Sequence, residues 1–235
     1  MSVKHIFTDR GGGVSRGIYE SFNLGLRRGD SEEAVRENYR RLAEKIGCGR
    51  FVTANQEHTD VILRVDSSFA KTDIFAPVGY VADGLITSEK DLALIVFTAD
   101  CVPVLLEGEG EIAAVHAGWR GTAKGIAAKA AGMMACPPGK IKAYIGPSIG
   151  VCCYETGDDV REAMRGLMGK EAEEFFAGGK VDLKGLNRRQ LEKAGVKSIE
   201  VSDECTMCMH DKYWSHRYTA GRRGSQCGVI VMTDD

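Results

Sequence analysis

Three apolar runs lie close together in the middle of the chain, and each is bounded by turn or polar residues. They cover residues 94–97, 102–106 and 112–115. Short apolar runs of this kind predict buried strands. The first run is followed by Asp100 and Cys101, and the third stops at His116. The pattern therefore predicts polar side chains at the ends of central strands.

The second and third runs predict a hairpin. A two-residue loop at Gly108 and Glu109 would place Cys101 directly opposite His116. Directly opposed residues have Cβ atoms about 4.5–5.5 Å apart on one sheet face, so a thiolate and an imidazole could meet there. Such a pair is either two ligands of one metal or a nucleophile beside its base. A buried thiol and an unrelated core histidine are the structural alternative.

The pattern elsewhere alternates between strands and amphipathic helices. Ser31 is expected to cap a helix that runs to about Ile46 and ends at Gly47, and another helix is expected to start near Gly121. Further helices are expected over 158–168 and 182–194, and further strands over 3–7, 51–54, 61–65, 81–87, 141–145, 198–201 and 229–232. Because no repeat or linker interrupts the pattern, we expect one domain over residues 1–235.

The stretch between residues 8 and 30 is rich in Gly, Ser and Arg and has no strong periodicity. It matches neither a dinucleotide-binding nor a Walker motif. One interpretation is a surface loop. The other is a lid over a site, in which Ser15, Tyr19 and Asn23 would bind substrate.

Composition narrows the possible partners. Hydrophobic residues make up 43% and charged residues 27% of the chain, and the net charge is −2. No basic surface is expected for binding nucleic acid, so a small-molecule partner is favoured. No segment reaches the roughly 20 apolar residues that span a bilayer, and the N-terminus does not read as a signal peptide. We therefore expect a cytoplasmic location. The eight cysteines are then expected to be free, metal-bound or catalytic.

Four of the cysteines fall in two short motifs. Cys152 and Cys153 are adjacent, and since neighbours point to opposite sides of an extended chain, they are expected to be core thiols that do not share a metal. Cys205 and Cys208 form a CxxC with His210 close by, which resembles half of a structural zinc site. No second pair follows them at a suitable spacing.

Two other residues are candidates for the site around Cys101. His58 lies in a polar turn and is the best third metal ligand by residue type, although an exposed loop histidine is the alternative. Arg120 precedes the expected helix start near Gly121, where free N–H groups favour an anion such as phosphate. An arginine that only solvates the helix start is the alternative.

Several segments together resemble the YfiH-type laccase-domain family, the purine nucleoside phosphorylases formerly labelled polyphenol oxidases. They are NQEH (55–58), DGLIT (83–87), TADCVPVLL (98–106), AAVHAGWRGTAKGI (113–126), IGPSIGVCCYE (145–155) and YWSHR (213–217). The resemblance implies an α+β fold of mixed sheets flanked by helices, similar to the catalytic domain of a bacterial cytotoxic necrotizing factor. It also implies that His58, Cys101 and His116 hold a metal.

The activity implied is phosphorolysis of adenosine, inosine and methylthioadenosine to ribose 1-phosphate, or its methylthio analogue, and base, with adenosine deamination beside it. One thiolate and two imidazoles suit a zinc site with an open fourth position, and copper could replace zinc. We expect Asp100 to carry a proton, and Arg120 and Arg217 to bind phosphate. Five histidines are too few for a multicopper oxidase. The tail at 216–228 departs from the family pattern, so no role is carried over to Arg222 or Arg223.

Two other functions remain open. A metal-free hydrolase or deamidase would use Cys101 as nucleophile and His116 as base. A zinc-stabilised protein that only binds nucleosides would release no base. The sequence does not indicate the oligomeric state.

Overall fold

The computed structural model describes residues 2–70 and 73–234, whose strands form two main sheets. The strands are β1 (Ser2–Phe7), β2 (Phe51–Val52), β3 (Ile62–Arg64), β4 (Gly84–Thr87), β5 (Ala93–Thr98), β6 (Val102–Gly108), β7 (Glu111–Ala117), β8 (Lys142–Ile145), β9 (Phe176–Ala177), β10 (Lys180–Val181), β11 (Ser198–Val201) and β12 (Gln226–Thr233). One sheet has the order β1-β12-β5-β2 and the other β11-β8-β6-β7-β4-β3, while β9 and β10 form a separate ribbon. Both main sheets contain parallel and antiparallel pairs, which confirms mixed sheets.

Helices cover both outer sides of the sheets. They are α1 (Glu32–Ile46), α2 (Trp119–Ala123), α3 (Ile126–Met133), α4 (Asp158–Met168), α5 (Leu183–Lys193) and α6 (His216–Thr219). The predicted ends of α1 are confirmed, because the Ser31 hydroxyl accepts the N–H of Ala34 and Gly47 has a φ of 76°. Within the described residues, no helix is long and apolar enough to cross a bilayer.

Alternating side chains on the central strands divide the core into three layers. Ile95 of β5 shares a hydrophobic cluster with Val35 of α1. Leu94, its neighbour on β5, shares a different cluster with Leu105 of β6, between the two sheets. Val104 of β6 belongs to the cluster that includes α3, α4 and α5. The domain is thus a stack of α1, the four-stranded sheet, the six-stranded sheet and the remaining large helices; its likeness to the toxin domain stays a prediction.

The β6–β7 hairpin turns one residue later than predicted. Glu109 and Gly110 form the loop, since Gly108 pairs with Glu111. Gly110 has a φ of 77°, which glycine adopts at little cost. Gly108 stays in the strand, where a Cβ would lie only 2.4 Å from Cys136 Sγ. One glycine is therefore explained by the turn and the other by packing.

This later turn makes the predicted pairing wrong. His116 pairs with Pro103, and Cys101 lies just before β6 begins. The register differs by two residues, and because the side-chain period of a strand is also two, the change does not move His116 to the opposite face.

Two other local predictions were wrong. The helix expected from Gly121 is two helices, which start at Trp119 and Ile126 and are separated by Gly125 with a φ of 71°. Cys152 and Cys153 are not core thiols: they lie in a tight turn, in which the N–H of Tyr154 donates to the Gly150 carbonyl. Cys152 is exposed and Cys153 is half-buried.

Candidate metal centre and active site

The side chains of His58, Cys101 and His116 come together where the two main sheets meet. The loops that carry His58 and Cys101 both pass from the four-stranded to the six-stranded sheet, and His116 lies near the end of β7. One ligand atom from each residue lies within 4.8 Å of the others. Cys101 Sγ is 3.7 Å from His58 Nε2, and the two imidazole rings have centroids 4.9 Å apart. This arrangement could hold one metal ion.

Asp83, at the start of β4, orients two of these three residues. Its carboxylate accepts a hydrogen bond of 2.7 Å from His116 Nδ1, which leaves Nε2 of that ring for the centre. It also accepts the backbone N–H of His58 at 3.1 Å and both the N–H and the hydroxyl of Thr59. Carboxylate–histidine pairs of this kind fix the tautomer of a metal ligand.

Burial alone would raise the pKa of Asp83, but the hydrogen bonds from His116 and Thr59 lower that pKa to about 2. Asp83 is therefore ionised at neutral pH. Asp83 belongs to the DGLIT motif (83–87), but the sequence did not predict a role for it. The available signal was a carboxylate directly before the buried run of β4, a position that rarely holds an unpaired charge.

The thiol and the imidazole shift each other's ionisation. Burial opposes the thiolate of Cys101, yet the nearby His116 charge and hydrogen bonds from His116 and His58 lower the pKa of that thiol to about 6. Burial likewise opposes charge on His116, whereas the Cys101 thiolate and Asp83 raise the pKa of the imidazole to about 9. Without a metal, the pair is a thiolate beside an imidazolium.

The backbone around the centre is unusually close-packed. A Cβ on Gly118, which precedes α2, would lie 2.6 Å from His58 Cδ2 and 3.2 Å from Cys101 Sγ. His58 itself has a φ of 59°, a left-handed conformation that non-glycine residues seldom adopt. Only a glycine at position 118 allows α2 to start this close to the three ligands.

Asp100 precedes Cys101 in the chain, but its carboxylate is hydrogen-bonded to residues between 206 and 217. Its carboxylate accepts hydrogen bonds from the Thr206 hydroxyl at 2.6 Å, the Ser215 hydroxyl at 3.1 Å and the Arg217 N–H at 2.7 Å. Its φ of 90° is held by these three contacts. The geometry gives Asp100 a positioning role for the turn that presents Cys101.

A cavity of about 380 Å³ opens beside the metal ligands. This volume lies in the range of roughly 300–1,000 Å³ that small-molecule sites occupy. His58, Cys101 and His116 contribute to one wall, Phe97 and Ile74 supply apolar surface, and three arginines add positive charge: Arg27, Arg28 and Arg223. The cavity can therefore take a ligand with an apolar ring and an anionic group.

Arg223 is the most distinctive of these arginines. Its Nη1 donates to the Gly224 carbonyl and the Ser225 hydroxyl, and its Nε is buried without a hydrogen-bond partner among the described residues. Burial, and next the charge of Arg28, lower the pKa of Arg223 to about 10, which leaves it charged at neutral pH. Two guanidinium groups at one cavity suit an anion. The sequence did not predict this role for Arg223, because residues 216–228 depart from the family pattern.

The two arginines predicted from the sequence, Arg120 and Arg217, do not line the cavity. Arg120 is exposed, and its guanidinium lies over the ring of Trp119 at 4.2 Å. Arg217 Nη1 donates to the carbonyl of Glu155 at 3.0 Å. Helix α2 has only five residues and begins at Trp119, two residues earlier than expected. Phosphate binding by Arg120 and Arg217 stays a prediction.

The polar side chains predicted to bind substrate in the 8–30 segment form hydrogen bonds within the protein. The Ser15 hydroxyl accepts from Asn38, and the Tyr19 hydroxyl donates to the carbonyl of Arg28. Asn23 is fully buried, and its carboxamide oxygen accepts two backbone N–H groups. The part of the segment that lines the cavity is residues 25–28. Tyr19 and Asn23 each form a hydrogen bond to the backbone of that stretch.

Comparison with known sequences gives consistent similarities over almost the whole chain. Residues 4–233 match the family model described as multi-copper polyphenol oxidoreductase laccase. A protein named purine nucleoside phosphorylase YlmD, from Geobacillus stearothermophilus, is 37% identical over 97% of this chain and 89% of its own. Another, named purine nucleoside phosphorylase YfiH, from Escherichia coli, is 34% identical over 93% of this chain and 90% of its own.

Solved structures show the same fold. The crystal structure of the Bacillus licheniformis hypothetical protein YfiH superposes with a TM-score of 0.93 at 33% identity, covering 98% of this chain and 93% of that one.

Proposed function

The chain belongs to the laccase-domain family that includes YfiH and YlmD, and we propose that it is a zinc-dependent purine nucleoside phosphorylase. It would cleave adenosine, inosine or methylthioadenosine with phosphate, giving the purine base and ribose 1-phosphate or its methylthio analogue. Adenosine deamination would accompany this reaction. The observation that carries the proposal is the His58, Cys101 and His116 cluster in the wall of a cavity that also presents Arg28 and Arg223.

The donor set fits zinc. One thiolate and two imidazoles, with one imidazole oriented by Asp83, form a three-ligand site that keeps a fourth position open. Copper would also bind such a set. A zinc ion held there would supply a Lewis acid and would activate water, the chemistry that purine deamination needs.

Phosphate binding is assigned to Arg28 and Arg223. The buried Nε of Arg223 has no hydrogen-bond partner in the part of the chain that the structure describes, and an anionic oxygen at that position would satisfy it. The second guanidinium, from Arg28, would share the charge of the same anion. Phosphorolysis requires the phosphate to be held near C1′ of the ribose while the glycosidic bond breaks, and the two guanidinium groups would provide that orientation.

The purine base is assigned to the apolar side of the cavity. Phe97 and Ile74 offer a flat surface for a ring. The backbone N–H and carbonyl of Phe97 are both bonded to the side chain of Gln56, which fixes the strand end relative to the loop that carries His58. These bonds would keep the proposed base site in a constant position relative to His58.

The proposal is tested by incubating zinc-loaded protein with inosine and following hypoxanthine by chromatography. Base release is expected only when phosphate is present, and a chelator should abolish it. Base release without phosphate would identify a hydrolase, and tight nucleoside binding without base release would identify a binding protein.

A metal-free cysteine hydrolase or deamidase is a second candidate, and the ionisation of the pair favours it. Cys101 with its lowered pKa, His116 and Asp83 form the thiolate, imidazole and carboxylate series of cysteine hydrolases. Full turnover after complete removal of zinc, together with loss of activity on alkylation of Cys101, would support this candidate.

A further inference from the structure

Four cysteines outside the candidate active site bring their sulfur atoms together. Cys152 and Cys153 lie in the turn that follows β8, and Cys205 and Cys208 lie in the turn that follows β11. All four Sγ atoms are within 4.8 Å of one another. The partner pair that the CxxC lacked downstream is therefore upstream of it in the sequence. His210 takes no part, because its ring stacks on Tyr218 with centroids 3.7 Å apart.

The sulfur spacing matches a metal site better than a disulfide. Cys208 Sγ is 3.5 Å from Cys152 Sγ and 3.4 Å from Cys153 Sγ. Four sulfurs around a zinc ion with Zn–S bonds of about 2.3 Å lie roughly 3.8 Å apart, whereas a disulfide bond is about 2.05 Å long. The tight turn explains how adjacent cysteines share one centre, since it replaces the extended backbone that would point them apart.

Backbone donors surround one of these sulfurs. Cys205 Sγ accepts the N–H of Gly150 at 3.2 Å, and the backbone N–H groups of Met207 and Cys208 lie close to it. Several N–H groups directed at one sulfur stabilise a thiolate, which is the form that binds metal. The same outer contacts orient ligands in metal sites.

A buried cation lies next to the cluster. Lys184 is only 7% exposed, and its Nζ donates to the carbonyls of Ser202 and Glu204, on the loop that leads to Cys205. It interacts electrostatically with Asp182 first, and then with Cys205, Asp203 and Cys152. A buried ammonium group needs negative charge nearby, and a zinc ion with four thiolates carries a net charge of −2.

We propose that Cys152, Cys153, Cys205 and Cys208 bind a second zinc ion, in a closed four-thiolate site with a structural role. The ion would tie the loop after β8 to the loop after β11. Thr206, in the second loop, donates to the Asp100 carboxylate and also bonds to Ser148 of the first loop. The site would therefore brace the turn that presents Cys101, whatever reaction occurs there.

Zinc content of protein purified under reducing conditions tests the proposal. The Cys205→Ser/Cys208→Ser variant should contain about one zinc per chain less than the wild type. Cys48→Ser is the matched control and should keep the wild-type content, because Cys48 lies outside the four-cysteine cluster and its thiol donates to two backbone carbonyls to which a hydroxyl can also donate. If the active-site metal were absent, total zinc would fall but this difference between proteins would remain.

Equal zinc content in the wild type and the double variant would overturn the proposal. A thiol titration that finds two fewer free thiols in the wild type than the sequence contains would indicate a disulfide and would also overturn it. Iron bound at the cluster in place of zinc would overturn it as well. If the double variant does not fold, the measurement moves to His58→Ala/Cys101→Ser, which keeps all four cysteines. X-ray absorption of its zinc should then show only sulfur neighbours at about 2.3 Å; nitrogen neighbours or no bound zinc would refute the site.

Discussion

Asp83 contacts two of the three candidate metal ligands. One carboxylate orients the His116 ring and fixes the backbone of the loop that carries His58. The resemblance implied the three ligands, because they lie in short motifs of recognisable composition, but it gave no role to Asp83. Nor could the sequence locate Arg223, since its position depends on how the 216–228 tail folds back over the cavity.

Replacing Asp83 with Asn tests its role at the centre. The amide is similar in size but carries no charge and makes a weaker acceptor for His116 Nδ1. Zinc affinity, measured by competition with a chromophoric chelator, is expected to fall about 10–100-fold. Asp60→Asn, which removes an exposed ion pair with Lys124 and Lys129, is the control and should leave the affinity unchanged. Wild-type affinity in Asp83→Asn would contradict this role.

Replacing Arg223 with Ala tests the phosphate assignment. The loss of a charge-assisted contact worth about 1.5–3 kcal/mol should raise the KM for phosphate about 10–100-fold, with a smaller change in the KM for inosine. Arg120→Ala is the matched control, because Arg120 is exposed over Trp119 and does not line the cavity. A rise in the phosphate KM for Arg120→Ala but not for Arg223→Ala would reverse the assignment.

The ionisation of Cys101 can be measured in metal-stripped protein. Alkylation requires the thiolate, and the pKa of this thiol is lowered to about 6. Alkylation by iodoacetamide should therefore persist at neutral pH and be half lost near pH 6 as the pH falls. The same peptide in denatured protein should show a midpoint near the ordinary thiol pKa of about 8.5. Identical midpoints in the two states would show that His116 and His58 do not stabilise the thiolate.

At the scale of elements, the sequence predicted where strands and helices lie better than how they meet. The apolar runs at 94–97, 102–106 and 112–115 are strands, and the capping residues of α1 mark its true ends. The predicted hairpin register was wrong because either Gly108 or Gly110 could form the turn. Gly108 lies in the strand instead, where only a residue without a Cβ fits against Cys136. The break between α2 and α3 depends on one positive φ, at Gly125, which composition alone does not reveal.

Gly118 offers a test of how α2 approaches the ligands. In Gly118→Ala, the new methyl group would lie 2.6 Å from His58 Cδ2, so that ring must shift. Zinc affinity should fall at least about tenfold, as it does when a ligand loses its orientation. Gly132→Ala in α3 is the control: nothing lies within 4 Å of its Cβ position, and the helix should gain about 0.5–1 kcal/mol. Unchanged zinc binding in Gly118→Ala would show that the close approach is unimportant.

At the scale of the whole molecule, the site exists only because two sheets meet. His58 and Cys101 lie on loops that cross from one sheet to the other, and the cavity adds residues from the 8–30 segment and from the C-terminal tail. These four regions are far apart in the sequence. The apolar pattern predicted the individual strands, and the family resemblance predicted the metal ligands. The arginines that line the cavity could be identified only from the folded structure.

We propose that a metal held by His58, Cys101 and His116 gives this protein its nucleoside phosphorylase activity. The most direct test measures bound zinc and ribose 1-phosphate formation from inosine and phosphate on the same samples of wild type and Cys101→Ser. The wild type should form ribose 1-phosphate, and Cys101→Ser should lose about one zinc per chain and nearly all turnover while its melting transition shows that it is still folded. Full zinc content with wild-type turnover in Cys101→Ser would contradict the account.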